Sequence, residues 1–223
     1  MSPRSVPTPV RAVLIGASGR MGQALLNAAA GSASLVFTAA IVSRGSALLG
    51  TPAPGGALQY RADLAEALAQ AQVAIDFSSA AAAAARDIPL LTAANTSIGV
   101  TVLAELLRMA AAALPREFTV SITESHHAGK RDAPSGTALA LAQALRAQRP
   151  AAGAIDIESI RAGDIVGEHA VRFVSAGEEL TLAHKASDRG LFAQGALAAA
   201  LWLSAQPPGR YGMRDVLAIK TAT

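Results

Sequence analysis

The chain has 223 residues, 54 of them alanine, no cysteine, and 16% charged residues with a formal net charge of +3. That excludes a disulfide scaffold, a thiol nucleophile and a thiolate metal site, and the 52% apolar fraction is too high for a disordered chain. The sequence pI is near 9.8, but +3 spread over this length is a weak field, and no basic run interleaved with aromatics points to nucleic acid. Between Met1 and Ala62 there are five arginines and no acid, a bias that suits an anionic ligand.

Met1–Pro9 has three prolines and no apolar core, so it does not read as a signal peptide. No apolar stretch is long enough to span a bilayer, which leaves a cytoplasmic, non-membrane protein as the expectation. Arg11–Ile15 reads as a buried strand ending in a glycine turn, and Met21–Ala30 as a helix. Leu35–Val42 is a second strand, Asp63–Gln70 a helix capped by Asp63, and Val73–Phe77 a third strand. Ala80–Arg86 reads as a short helix and Pro89–Ala93 as another strand, a strand–helix–strand unit that can close as a right-handed crossover. Strands alternating with helices imply a parallel sheet.

From Ser97 the pattern changes. A long helix to Leu114 precedes a strand at Phe118–Thr123, a polar segment from Glu124 to Ser135, and a helix from Gly136 to about Gln148. Ile155–Ala186 alternates like antiparallel strands with a turn at Ala176-Gly177, and Leu191–Leu203 is a last helix. The predicted class is α/β. A Rossmann-type dinucleotide-binding lobe over 1–96 is completed by 188–223, and a second α+β lobe over 97–187 carries a mostly antiparallel sheet.

Two segments carry chemistry. Gly16-Ala17-Ser18-Gly19-Arg20-Met21-Gly22 joins a strand to a helix, where glycines permit a tight turn and close approach of backbone N–H groups to a pyrophosphate. No acid follows the second strand to hold a ribose 2′-hydroxyl. Ser43 and Arg44, with Arg20 nearby, are candidates for a 2′-phosphate, so NADPH is expected to bind at least as well as NADH. The other segment is Glu124-Ser125-His126-His127-Ala128-Gly129-Lys130-Arg131-Asp132-Ala133-Pro134-Ser135-Gly136-Thr137. It offers imidazole and ammonium proton donors beside a helix start, with Ser135 as N-cap and the N–H groups of Gly136 and Thr137 open to a carboxylate. The adjacent histidines lack the i, i+4 spacing of a zinc helix, so no metal is expected. His169 and His184 read as structural or interface residues, and Trp202 as core packing.

Glu-Ser-His-His-x-x-Lys-x-Asp-Ala-Pro-Ser-Gly-Thr resembles the characteristic loop of the 4-hydroxy-tetrahydrodipicolinate reductases of bacterial lysine biosynthesis. GASGRMG at Gly16–Gly22, NTSIGV at Asn95–Val100, RAGDIVGEH at Arg161–His169 and HKA at His184–Ala186 are similar to further pieces of that family, in its order. The resemblance implies NADPH- or NADH-dependent reduction of a cyclic dicarboxylate, with His126 as acid/base residue and Lys130 as proton donor. It also implies that His127, Ser135, Gly136 and Thr137 bind substrate. Gly16, Ala17, Ser18, Gly19, Arg20 and Met21 would carry the pyrophosphate, and Ala94 and Asn95 would border the nicotinamide. A cytoplasmic homotetramer is implied too. Two departures stand out. Gly129 occupies a position where the family often has histidine. The Ser78–Ala93 interval is short by one strand and one helix, with no Gly-Thr-Thr-Gly turn. The second departure raises the alternative of a low-activity or non-catalytic dinucleotide-binding relative.

Overall fold

The computed structural model describes residues 8–78, 89–149 and 155–218, which form two units, Met1–Ala93 with Gly190–Thr223 and Ala94–Arg189. The expected helix at Ala80–Arg86 lies outside the described residues.

In the first unit, β1 (Val10–Ile15), β2 (Leu35–Ile41), β3 (Tyr60–Arg61) and β4 (Val73–Asp76) form a parallel sheet in the order β3-β2-β1-β4. The two-residue β3 is too short to leave a periodic trace in the sequence. Parallel strands need crossovers, supplied here by α1 (Arg20–Ala29) and α2 (Leu64–Ala69). The Asp63 carboxylate accepts from the Glu66 N–H at 3.1 Å and so caps α2 as expected. One face of the sheet buries Ala12, Leu14, Phe37, Ala40 and Ile75 with Leu25 and Leu26 of α1. The same core takes Ala193, Ala196 and Ala200 from α5 (Gly190–Leu203), whose alanines permit a close approach. The opposite face packs Val13, Ala39 and Ile41 against Leu64 and Ala67 of α2. Helices on both faces explain why these strands read as continuous apolar runs.

The last part of this unit departs from expectation. β5 (Pro89–Leu91) does not lie beside β4. It pairs in parallel with β10 (Gly209–Tyr211), which the sequence reading missed, in a separate two-stranded sheet. The physical reason is the short interval: no described strand fills the place between β4 and β5. Trp202 packs edge to face on Tyr211 at 5.1 Å, so it secures β10 rather than filling a helix core. A one-turn α6 (Met213–Val216) follows.

The second unit contains α3 (Ile98–Ala113), β6 (Thr119–His126), α4 (Gly136–Gln148), β7 (Asp156–Arg161), β8 (Gly167–Val174) and β9 (Glu179–Ala186). Its sheet runs β7-β6-β8-β9. β6–β8 and β8–β9 are antiparallel, the latter closed by the Ser175 N–H on Glu178 O at 3.0 Å. The sheet is thus mostly antiparallel, as expected, with β7 the exception because it runs parallel to β6. α4 carries the chain back across the sheet before β7 begins, and a crossover of this kind returns it in the same direction. A correction concerns β6, which continues through the polar residues Glu124–His126. Ladders on both sides hold them extended. Leu103 and Leu107 of α3, Leu141 and Leu145 of α4, Ile122, Val171 and Phe173 make the core.

Arg149 closes this unit at the end of α4. Its guanidinium donates to Ala111 O (2.9 Å), Leu114 O (2.6 Å), Pro115 O (3.0 Å) and Phe118 O (3.0 Å), and lies over the Phe173 ring. Ala111 and Leu114 stand at the end of α3, where carbonyls lack intrahelical donors, and Pro115 and Phe118 lie in the connection to β6. Arg149→Ala is therefore expected to destabilise the protein by about 2–3 kcal/mol, read as a lower midpoint in urea denaturation.

Candidate active site

Alternation along β6 places Ile122, Glu124 and His126 on the face that packs α3 and α4. Strand register then sets Glu124 opposite His169 on β8 and Ser159 on β7. His169 in turn faces His184 on β9. A polar row thus crosses the sheet next to rows of Ile122, Val171 and Phe173, which are apolar. Two residues further along β6, His126 faces Arg161 on β7, so the adjoining row is polar as well.

The row is closed by hydrogen bonds. Glu124 has 0% exposure and accepts three donors: Nδ1 of His126, Arg161 Nη2 at 2.6 Å, and the Ser135 N–H at 3.2 Å. Arg161 also donates to Asp132 O at 2.6 Å, which anchors the loop before α4. Burial by itself would raise the Glu124 pKa, but the Arg161 and His126 hydrogen bonds outweigh it and bring it down to about 2. His126 is held below the ordinary histidine value by burial and by the Lys130 and Arg161 charges, against the opposing pull of Glu124. His169, edge-on to His126 with ring centroids 5.2 Å apart, is pushed down to about 4 chiefly by burial.

Two helix starts meet this row. Ser135 caps α4 by accepting the Ala138 N–H at 3.1 Å, and its hydroxyl lies 3.3 Å from His169 Nε2. Ser97 caps α3 in the same manner and lies 3.3 Å from His184 Nε2. Gly99 is required there, since a Cβ would stand 2.8 Å from the His184 ring. Asn95 joins the two caps: its amide donates to Thr137 Oγ1 at 3.0 Å, and its carbonyl accepts the Ser97 N–H at 2.7 Å. Asn95 and Thr137, expected on cofactor and substrate respectively, therefore touch each other.

The remaining expected residues fall as follows. His127 is half-buried just beyond the strand, with its ring over Gly129. Lys130 reaches both Asp132 carboxylate oxygens at 2.7 Å, and this contact lowers the Asp132 pKa. Ser135 is 2% exposed with its N–H and hydroxyl engaged, whereas Gly136 is exposed with open space beside its Cα. In the first unit, Gly16 has φ +75°, and a Cβ on Gly22 would lie 2.5 Å from Gly16 O, so both positions demand glycine. Gly19 is the N-cap of α1, whose first turn carries no acid. Arg20, Ser43 and Arg44 are exposed, Met21 half-buried and Ala17 buried. Ala94 is exposed beside Asn95.

Glu124, His126 and His169 bring three potential metal ligands within 4.8 Å. The Glu124 oxygens are already taken by a guanidinium, an amide and an imidazole, so the donor set is that of a hydrogen-bonded charge cluster. Sequence reasoning missed Glu124, Arg161 and His169 as site residues. The i, i+2 spacing of Glu124 and His126 was an available sign, but Arg161 and His169 arrive only through strand register.

Models described as "Dihydrodipicolinate reductase, N-terminus" and "Dihydrodipicolinate reductase, C-terminus" match residues 10–111 and 99–217. The chain belongs to the dihydrodipicolinate reductase family. A 4-hydroxy-tetrahydrodipicolinate reductase of Stenotrophomonas maltophilia is 43% identical over 239 residues, covering 94% of this chain and 98% of the relative. One from Roseobacter denitrificans is 37% identical over 268 residues, covering 96% and 98%. Both alignments are longer than the stretch of this chain that they cover, so each of these relatives carries residues that this chain lacks. A non-catalytic relative, the alternative raised by the short interval, finds no support in these similarities. The fold agrees with that of a dipicolinate-bound dihydrodipicolinate reductase from Paenisporosarcina sp. TG-14 (TM-score 0.74, 20% identity, 92% and 97% coverage). Among the described residues no helix is long and apolar enough to cross a membrane.

The buried histidine has a consequence for stability. A group whose folded pKa lies below its unfolded value contributes stability that is present above the unfolded pKa and lost as pH falls through the folded one. For His169 that window runs from 6.5 down to about 4. His169→Gln is expected to flatten the loss of stability across this window by up to about 1.4 kcal/mol per pH unit, measured by urea denaturation at stepped pH.

Proposed function

We propose that this chain catalyses the NAD(P)H-dependent reduction of 4-hydroxy-tetrahydrodipicolinate, a cyclic dicarboxylate, to tetrahydrodipicolinate in lysine (diaminopimelate) biosynthesis. The observation that carries this reading is the charged cluster at the end of β6. It holds His126 beside the Lys130 loop and the start of α4. Membership of a family of pyridine-nucleotide-dependent reductases supports it.

The glycine turn fits a dinucleotide. Gly16 and Gly22 leave no Cβ in a tight strand-to-helix turn, and α1 presents an N-terminus without acids. Bound NAD(P)H supplies the hydride. Gly16–Met21 hold the pyrophosphate, and Ala94 and Asn95 border the nicotinamide end. Ser43, Arg44 and Arg20, all exposed and in a region without acids, receive a 2′-phosphate. Arg44→Ala is then expected to weaken NADPH binding several-fold more than NADH binding. Titration of both cofactors checks this, and a clear NADH preference in the unaltered protein would contradict it.

Substrate carboxylates are held by His127 and by the open N–H groups at the start of α4, on Gly136 and Thr137. Ser135 contributes by capping that helix, because its own N–H is committed to Glu124. Hydride addition leaves negative charge on the substrate, which a positioned acid must neutralise as water leaves. Lys130, steered by Asp132, is the proton donor, and His126 is the acid/base residue. The enzyme works as a cytoplasmic homotetramer. The sheet face opposite α3 and α4, lined by exposed Thr119, Arg172, Thr181 and Lys185, supports assembly there.

His126→Ala and Lys130→Ala are each expected to lower kcat by ~10²–10⁴-fold with a much smaller change in KM. Steady-state NADPH oxidation with freshly generated substrate measures both. A loss confined to KM would mean that these side chains only bind.

A further inference from the structure

Glu124 has no contact with solvent, yet its carboxylate takes hydrogen bonds from three different residues. Its Oε1 takes the Arg161 guanidinium and the Ser135 N–H, which leaves Oε2 for the His126 ring. A buried carboxylate facing a guanidinium at 2.6 Å stays ionised, and an ionised carboxylate can only accept. The imidazole nitrogen against it must therefore carry a proton, and that nitrogen is Nδ1. On the other side of the ring, Nε2 lies against Gly167 of β8, where a Cβ would come within 3.2 Å of it. Glycine at that position spares Nε2 a side-chain contact from Gly167.

We propose that Glu124 is a positioning residue that locks His126 in its Nδ1–H tautomer, so that Nε2 is the nitrogen that exchanges a proton, while Arg161 keeps the carboxylate charged. This rests on the reading of His126 as the acid/base residue. The same carboxylate accepts the N–H of the α4 N-cap, so one group fixes both the imidazole and the helix that holds substrate. Every charged or titratable neighbour of the ring has a place in this arrangement. Glu124 comes from β6, Arg161 from β7 and His169 from β8, with His184 of β9 behind it. Lys130 and its partner Asp132 come from the loop. Glu124 is the single anion in direct contact with the ring among them, and removing its charge leaves the cations unopposed.

The experiment is ¹H–¹⁵N long-range correlation spectroscopy of ¹⁵N-histidine-labelled full-length protein, with His126 assigned by its loss in His126→Ala. The wild-type spectrum, above the pH at which His126 deprotonates, is expected to show Nδ1–H and a bare Nε2. Finding Nε2–H instead overturns the proposal, whatever the variants do. Glu124→Gln is expected to release the tautomer, lower kcat by ~10²-fold with KM nearly unchanged, and move the loss of activity with rising pH to lower pH. Glu124→Asp is expected to keep Nδ1–H. If Glu124→Gln folds, retains the Nδ1–H tautomer and leaves kcat intact, Glu124 is not a positioning residue. If it does not fold, the wild-type tautomer and Glu124→Asp decide. Full activity in His126→Ala would instead overturn the acid/base reading, and the tautomer measurement tells that outcome apart from failure of the Glu124 proposal.

Discussion

A carboxylate cannot be buried in a sheet unless its charge is met, and the second unit is organised around meeting that of Glu124. Arg161, His126 and the Ser135 N–H come from β7, β6 itself and the start of α4. Each must be in register before the carboxylate is satisfied, so the polar row holds the strand pairing as strictly as the apolar rows beside it. Removing one member leaves the others desolvated and unpaired, which costs more than the net worth of the intact cluster. This explains how β6 can run on through Glu-Ser-His although Glu124 is fully buried.

The cluster also connects packing to chemistry. Ser135 and Ser97 cap two helices and at the same time meet His169 and His184 from the sheet. Asn95 ties the first turn of one helix to the approach of the other. The helix starts are thus fixed by the sheet's polar row and not by helix propensity alone. The start of α4 at Gly136 is held still by the hydrogen bonds beneath it.

The first unit meets a different constraint. Its glycine turn depends on backbone approach, with Gly22 against Gly16 and Ala17 closer than any side chain allows. Its sheet tolerates a short interval after β4 by dividing: β5 finds β10 instead of β4, and Trp202 with Tyr211 supports that pairing. A parallel pair satisfies its ladder with any strand of the right direction. The same backbone rules therefore keep β5 paired even though its place beside β4 is given up.

Local signals in the sequence sufficed for the elements whose chemistry is local. The caps at Asp63 and Ser135, the glycine turn, the helix from Gly136 and the hairpin after Val174 each depend on neighbours a few residues away. The motif around His126, His127 and Lys130 pointed to the family for the same reason, because its residues are contiguous. What tertiary structure alone decided were the pairings between distant residues. Examples are the parallel partnership of β6 with β7, the rescue of β5 by β10, and the meeting of Glu124 with Arg161 and His169. Residues 37 and 45 positions from Glu124 carry no mark of that meeting in their own surroundings. Strand register brings them together, and register is set by the burial of whole faces and the satisfaction of one buried charge, which no local window of sequence contains.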